Sequence, residues 1–221
     1  MSGYKSTEQY WDKAFDRIEV RVLESEKSGH EGIDTALDWI SRTSSVVLDF
    51  GCGSGAILAY LAKRKKGRYH GVDISKGAVA LAEKLFAVNR LDKGFFLVGS
   101  VETLQACKSE DFDAVVLSNV LDNMKPKDAL TVLHEVRRLL KPGGKLLVKL
   151  NPHYDKKTID KENLELIETD FYLEPSGLYL WNKPDAFWLD LLRKHYTIHR
   201  QERVHFTEDQ YNRMFLCVKN S

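Results

Sequence analysis

Between residues 45 and 151 the chain switches repeatedly from short apolar runs to longer stretches with helical spacing. The apolar runs are SVVLDF (45–50), YHGVDI (69–74), FFLVGS (95–100), DAVVLSN (113–119) and KLLVKLN (145–151). Helical stretches fall at 56–67, 76–90 and 126–140. A short apolar run bounded by glycine or turn residues reads as a strand buried on both faces. Strands that alternate with helices build a mostly parallel sheet covered on both sides. The end of the chain departs from this pattern. A helix at 184–195 leads into YTIHRQERVHF and then YNRMFLCVKN, with little more than TEDQ between these two strands. A parallel crossover needs about a dozen residues, so this last pair must be antiparallel. The expected fold is an α/β three-layer sandwich, a mostly parallel seven-stranded sheet closed by a terminal antiparallel hairpin.

A chain of 221 residues at 43% hydrophobic can bury one sizeable core. Thirty-three Lys and Arg stand against 32 Asp and Glu, a net charge of +1. That balance carries no sign of the basic surface that nucleic acid requires. The one basic run, AKRKKGR (62–68), ends a helix with Gly67 as its stop, where cations complement the dipole. Cys52, Cys107 and Cys217 form no C-x-x-C pair, so neither a zinc site nor a disulfide framework is suggested. MSGYKSTEQYWDK lacks the apolar core of a signal peptide, and no stretch approaches the roughly 20 apolar residues of a membrane span. A cytoplasmic address is expected.

Ahead of the first strand, residues 5–45 read as helical. Tyr10, Trp11, Ala14, Phe15, Ile18 and Val22 share one face, with a break at ESEKSGHEG (24–32). A single domain is expected: an N-terminal helical lid over 1–45, a cofactor-binding core over 46–151, an insertion over 152–183, and the terminal helix and hairpin over 184–221. Within the insertion, Pro175, Ser176 and Gly177 turn between FYL and LYLW, which predicts a small hairpin.

The first strand opens into GCGSGA (51–56). Gly51, Gly53 and Ala56 fit the dinucleotide fingerprint G-x-G-x-x-G/A, which points to NAD. Asp49 argues otherwise, because a carboxylate two positions before the first glycine would repel a pyrophosphate and complement a cation. Gly51 and Gly53 permit a tight turn and close backbone approach. The loop amides and the following helix N-terminus suit an anion. Asp73, 22 positions after Gly51, can accept two hydrogen bonds from a ribose diol, a role compatible with either cofactor.

VVLDFGCGSG, VDIS, GSVETL, FDAVVLSNVL and LLKPGGKLLV, in that order and spacing, resemble the class I S-adenosylmethionine-dependent methyltransferases. The similarity runs from about residue 46 to 150. It implies a Rossmann-like fold and S-adenosyl-L-methionine as cofactor, with the terminal hairpin agreeing. By this resemblance Asp49, Gly51, Cys52 and Gly53 hold the methionine part, and Asp73 with Ile74 the ribose. Ser100 and Val101 lie at the adenine, although aspartate is commoner at the position of Ser100. Ser118 and Asn119 lie beneath the cofactor, and Tyr10 and Trp11 belong to a lid helix. No metal is implied.

The reaction centre is expected around Ser118, Asn119, Asp122 and Asn123; capping of the next helix is the alternative for the last two. NPHY (151–154) is similar to the N-P-P-Y motif of amino-methyltransferases, but it carries His at the second proline and follows the fifth strand instead of the fourth. Asp122, His153 and Tyr154 are the candidates for a general base, needed only if the acceptor is protonated at neutral pH. Phe171, Tyr172, Tyr179 and Trp181 form either an aromatic wall or part of the core. The expected function is methyl transfer to a small molecule, with no nucleic-acid partner. An RNA or protein methyltransferase, an NAD-dependent oxidoreductase and a cofactor-binding protein without turnover are the alternatives.

Overall fold

The computed structural model describes residues 3–92, 94–207 and 210–220. The elements run α1 (Lys5–Phe15), α2 (Glu31–Ser41), β1 (Val46–Phe50), α3 (Ala56–Arg64), β2 (Arg68–Asp73), α4 (Lys76–Val88), β3 (Phe95–Val98), α5 (Val101–Ala106) and β4 (Phe112–Ser118). A 3-10 turn at Leu121–Asn123 precedes α6 (Pro126–Leu139) and β5 (Leu140–Leu150). Then come α7 (Lys156–Lys161), β6 (Glu165–Glu168), β7 (Phe171–Leu173), β8 (Tyr179–Trp181), α8 (Asp185–Arg193), β9 (Tyr196–His205) and β10 (Tyr211–Lys219). The large sheet has seven strands in the order β3-β2-β1-β4-β5-β10-β9. β1 to β5 are parallel, and β10 runs antiparallel to both β5 and β9. The expected Rossmann-like sandwich with its terminal hairpin is what forms. Glu208 and Asp209, inside the expected TEDQ connection, lie outside the described residues.

The sheet divides the core because side chains of a strand alternate between its faces. Val47, Ala114, Val116 and Met214 pack with Leu37, Leu58, Leu61 and Phe86 of α2, α3 and α4. Leu48, Val115, Leu117 and Phe215 pack on the other face with Val132, Val136 and Trp188 of α6 and α8. β1 is buried at all five positions, as an apolar run of that length between two helical layers requires. Strand order reverses between β1 and β4, which opens a crevice at the carboxyl edge of the sheet.

Three local expectations need correction. The N-terminal helix ends at Phe15, and Ile18 and Val22 stand 48% and 68% exposed instead of continuing its apolar face. Ile18, Val20 and Val22 alternate with Glu19 and Arg21, a period of two that suits extended chain better than helix. Asn89 holds that segment by accepting from Leu23 N at 2.7 Å and donating to Arg21 O at 3.2 Å. α3 stops at Arg64, three residues before Gly67. The fifth strand, expected over 145–151, begins at Leu140, so KPGG (141–144) lies within β5 as a register shift opposite Phe112 and Ala114, with Gly143 at φ +69°.

In the insertion, β7 and β8 pair around the Pro175–Gly177 turn, and β6 adds a third strand that the sequence pattern did not announce. Phe171 and Trp181 belong to the main core, Trp181 meeting Trp188 edge-on at 5.2 Å. The aromatic wall is therefore half core, and Tyr179 is the member that turns toward Tyr4, edge-on at 5.8 Å.

Candidate active site

A cavity of about 680 Å³ occupies the crevice beyond β1 and β4. Its floor begins with the glycine loop. Gly51, Gly53 and Gly55 have φ of +76°, +52° and +73°, conformations that side chains rarely tolerate. A Cβ on Gly51 would collide with Val120 Cγ2, so the loop and the segment after β4 can approach only because that side chain is missing. The amides of Gly51 and Cys52 donate to Val72 O at 2.7 and 3.1 Å, and Gly53 N donates to Asp73 Oδ2 at 2.8 Å. These three amides are occupied within the protein. The first-turn amides of α3 stay open, because its N-cap, Gly55, has no side chain to cap them. The anion-accepting end of the loop is therefore the helix, with Ala56 and Ile57 on the cavity wall.

Asp49 is 1% exposed and lines the cavity, and its Oδ1 has no hydrogen-bond partner among the described residues. Burial, reinforced by the Asp73 carboxylate and opposed by Lys149, pushes Asp49 up to about 8. A buried carboxylate with an open oxygen is costly unless something positive meets it. Asp73 is nearly as buried, and its Oδ1 accepts from Ser75 N at 2.9 Å. Burial raises its pKa, against the hydrogen bonds from Ser75 and Gly53. Asp73 lines the cavity, and each of its oxygens keeps one further lone pair. Cys52 is buried, and burial followed by the field of Asp49 keeps its thiol protonated.

Ile74, Ser100, Val101, Ser118 and Asn119 also line the cavity. Ser100 Oγ donates to Glu102 Oε2 at 2.6 Å, and that hydrogen bond holds Glu102 below the usual carboxylate range. Glu102, also on the cavity wall, thus places a carboxylate two positions after Ser100. α1 forms the roof. Asp12 Oδ1 accepts from Ser75 Oγ at 2.6 Å and from Gly77 N at 3.1 Å, which ties α1 to the start of α4. At its other end Tyr4 Oη donates to Asp128 Oδ2 at 2.7 Å and accepts from Lys125 N at 2.9 Å. Trp11 and Phe15 stack at 5.6 Å beneath this roof, both on the cavity.

Other expected residues lie elsewhere. Tyr10 packs edge-on against Trp11 at 5.1 Å but is 37% exposed and off the cavity wall. Asp122 is wholly buried and not on that wall; its Oδ2 accepts from Asn151 N at 2.6 Å. Burial pushes Asp122 up to about 6, against the Asn151 N–H and the charge of Arg213. His153 is exposed, and Tyr154 is half-buried with its backbone paired to the Asn182 amide. Neither lines the cavity. Capping does not explain Asp122 or Asn123 either, since the N-cap of α6 is Lys125 with Pro126 following. Sequence reading missed Tyr4, Thr7, Phe15, Lys125 and Asp128, all on the wall. Thr7 is buried with its hydroxyl unpartnered among the described residues, a signal visible only once α1 is folded over the sheet.

Residues 47–144 match the methyltransferase-domain family. That match covers less than half of the chain, the part that holds the glycine loop, Asp49 and Asp73. Among curated relatives, a probable methyltransferase, ltbC, of Aspergillus luteorubrus is 31% identical over 58% of this chain and 48% of its own length. The tRNA N(3)-methylcytidine methyltransferase trm140 of Schizosaccharomyces pombe is 20% identical over 86% of this chain and 64% of its own. The chain thus spans only part of each relative. Magnesium protoporphyrin IX methyltransferase from Synechocystis, solved with S-adenosylhomocysteine, shares the fold of this chain with a TM-score of 0.70. It is 20% identical over 97% of this chain and 98% of that one. Among the described residues, no cluster of metal-ligating side chains forms and no helix is long and apolar enough to cross a membrane.

Proposed function

We propose that this chain is an S-adenosyl-L-methionine-dependent methyltransferase that transfers a methyl group to a small molecule by in-line displacement. The observation that carries the reading is Asp49, a buried carboxylate on the cavity wall beside the glycine loop, with one oxygen unpartnered among the described residues. That group fits a cation and opposes a polyphosphate, which favours an amino-acid-bearing sulfonium over NAD. Asp49 would meet the ammonium, the open first turn of α3 the carboxylate, Asp73 the ribose hydroxyls, and Glu102 with Ser100 the adenine. When bound, the cofactor supplies a methyl group on a positively charged sulfur, already electrophilic.

The protein's part is alignment and exclusion of water. α1, anchored at Ser75 and at Asp128, roofs the cavity that Ser118 and Asn119 line, the arrangement that would exclude solvent once cofactor and acceptor fill it. Asp122, His153 and Tyr154 do not reach that space. Asp128 is the carboxylate we assign to any proton the acceptor must lose, since it lines the cavity and already accepts from Tyr4.

A small acceptor is favoured by the location of the basic run. α3 begins at the cavity and runs nine residues away from it, about 13 Å, so Lys63 to Arg68 sit at the opposite edge of the sheet. Arg64 is spent on Asp34 and Asp38 at 2.8 and 2.9 Å. Thermal shift with S-adenosylhomocysteine, NAD and ATP tests the cofactor: stabilisation by the first alone is expected. A response to NAD without one to S-adenosylhomocysteine would reject the proposal.

A further inference from the structure

The polar end of the cavity is lined by amides whose direction is fixed from a buried charge. Lys149 on β5 is 9% exposed; its Nζ donates to Asn119 Oδ1 and, at 3.2 Å, to Asn212 Oδ1. An ammonium has only protons to give, so the edge of Asn119 turned toward it must be the oxygen. Asn119 Nδ2 then donates to Asn151 Oδ1 at 2.9 Å, and Asn151 Nδ2 donates to Asn123 Oδ1 at 2.8 Å. An amide that accepts on one side offers N–H on the other, so each link sets the next.

Asn151 is held firmly within this chain of bonds. Its backbone N donates to Asp122 Oδ2 at 2.6 Å, and its carbonyl accepts from Arg213 Nε at 2.7 Å. The chain ends at Asn123 Nδ2, which has no partner among the described residues and belongs to a side chain on the cavity wall. Burial draws Lys149 down to about 8, while the nearby Asp122 and Asp49 favour its charged form, so at neutral pH it stays mainly a donor.

We propose that Lys149 is a positioning residue that fixes Asn123 as a hydrogen-bond donor in the cavity, so that the methyl acceptor presents a carbonyl oxygen, an oxyanion or an unprotonated ring nitrogen to it. This rests on reading the cavity as the methyl-transfer site. Asn123 is partly exposed, so molecules whose polar groups only donate would displace water from its N–H without replacing the hydrogen bond, and are selected against.

The test uses the whole protein, 15N-labelled and saturated with S-adenosylhomocysteine, titrated with benzoate and with benzylammonium. The two probes share a ring; the first only accepts and the second only donates. Benzoate is expected to shift the Asn123 side-chain amide signal and to bind at least tenfold more tightly. Asn123→Asp, which accepts from Asn151 but offers no N–H, should lose that preference. Lys149→Met should split or broaden the Asn119, Asn151 and Asn123 amide signals together, and Lys149→Arg, again a pure donor, should restore single signals and the preference. Equal binding of the two probes, a preference that survives Asn123→Asp, or a Lys149→Met spectrum altered at Asn119 alone would overturn the proposal. Failure to take up S-adenosylhomocysteine at all would instead remove the reading on which it rests.

Discussion

Burial raises the pKa of the Asp49 carboxyl, and its behaviour with pH follows from that cost. Its folded-state pKa of about 8 stands above the unfolded value, so the folded protein binds this proton more tightly. Its contribution to stability is therefore greatest below about pH 4 and is lost as pH climbs through 8. The ligand's ammonium needs the ionised form, so affinity for S-adenosylhomocysteine should rise from pH 6 to 8. Close to one proton should be released on binding at pH 7, measured by calorimetry in buffers of different ionisation enthalpy. Asp49→Asn should abolish that release and weaken binding at least tenfold, while stabilising the ligand-free protein by about 1 kcal/mol at pH 8.5. Asp49 was legible in the sequence because its position before the glycines is a local fact. Lys149, which opposes its protonation from β5, was not, since nothing in KLLVKLN distinguishes a lysine that points under the cavity from one that points to water.

Among the elements, the glycine loop and α1 differ in how the sequence announces them. The loop is defined by short-range sterics. Gly51→Ala would place a methyl against Val120 in a left-handed conformation, and we expect a loss of about 2–4 kcal/mol in urea unfolding together with loss of cofactor binding. α1 has a weaker signature, because its apolar residues face a cavity instead of a filled core. Only Thr7 of its 11 residues is buried. Trp11→Ala should accordingly cost little stability, under about 1 kcal/mol, yet weaken S-adenosylhomocysteine about tenfold by opening the roof. The helical period read through Ile18 and Val22 failed for a related reason. A three- or four-residue spacing can be picked out of a segment whose actual alternation is two, and Asn89, distant in sequence, holds that segment extended.

At the scale of the molecule, Arg213 joins regions that the sequence keeps apart. It is 3% exposed on β10, and its guanidinium donates to Asn151 O after β5, to Lys183 O after the insertion and to Asp185 Oδ1 at the start of α8. Arg213→Met should lower stability by about 2 kcal/mol in denaturant unfolding, since three part-buried acceptors lose their donor at once. The sheet, its strand order and the closing hairpin were readable in advance. Alternating periods and connection length are properties of neighbouring residues, and chain chirality leaves few ways to assemble them. The glycine loop with Asp49 and Asp73 was readable for the same reason, since each sits at a strand end whose position the alternation determines. Tertiary structure alone decided that Asp122, His153 and Tyr154 stand away from the cavity, that Tyr4 and Asp128 close it, and that Lys149, Asn119, Asn151 and Asn123 join into one directed chain. Those outcomes depend on which way side chains point once distant segments pack, and hydrogen-bond direction is set only when donor and acceptor meet in space.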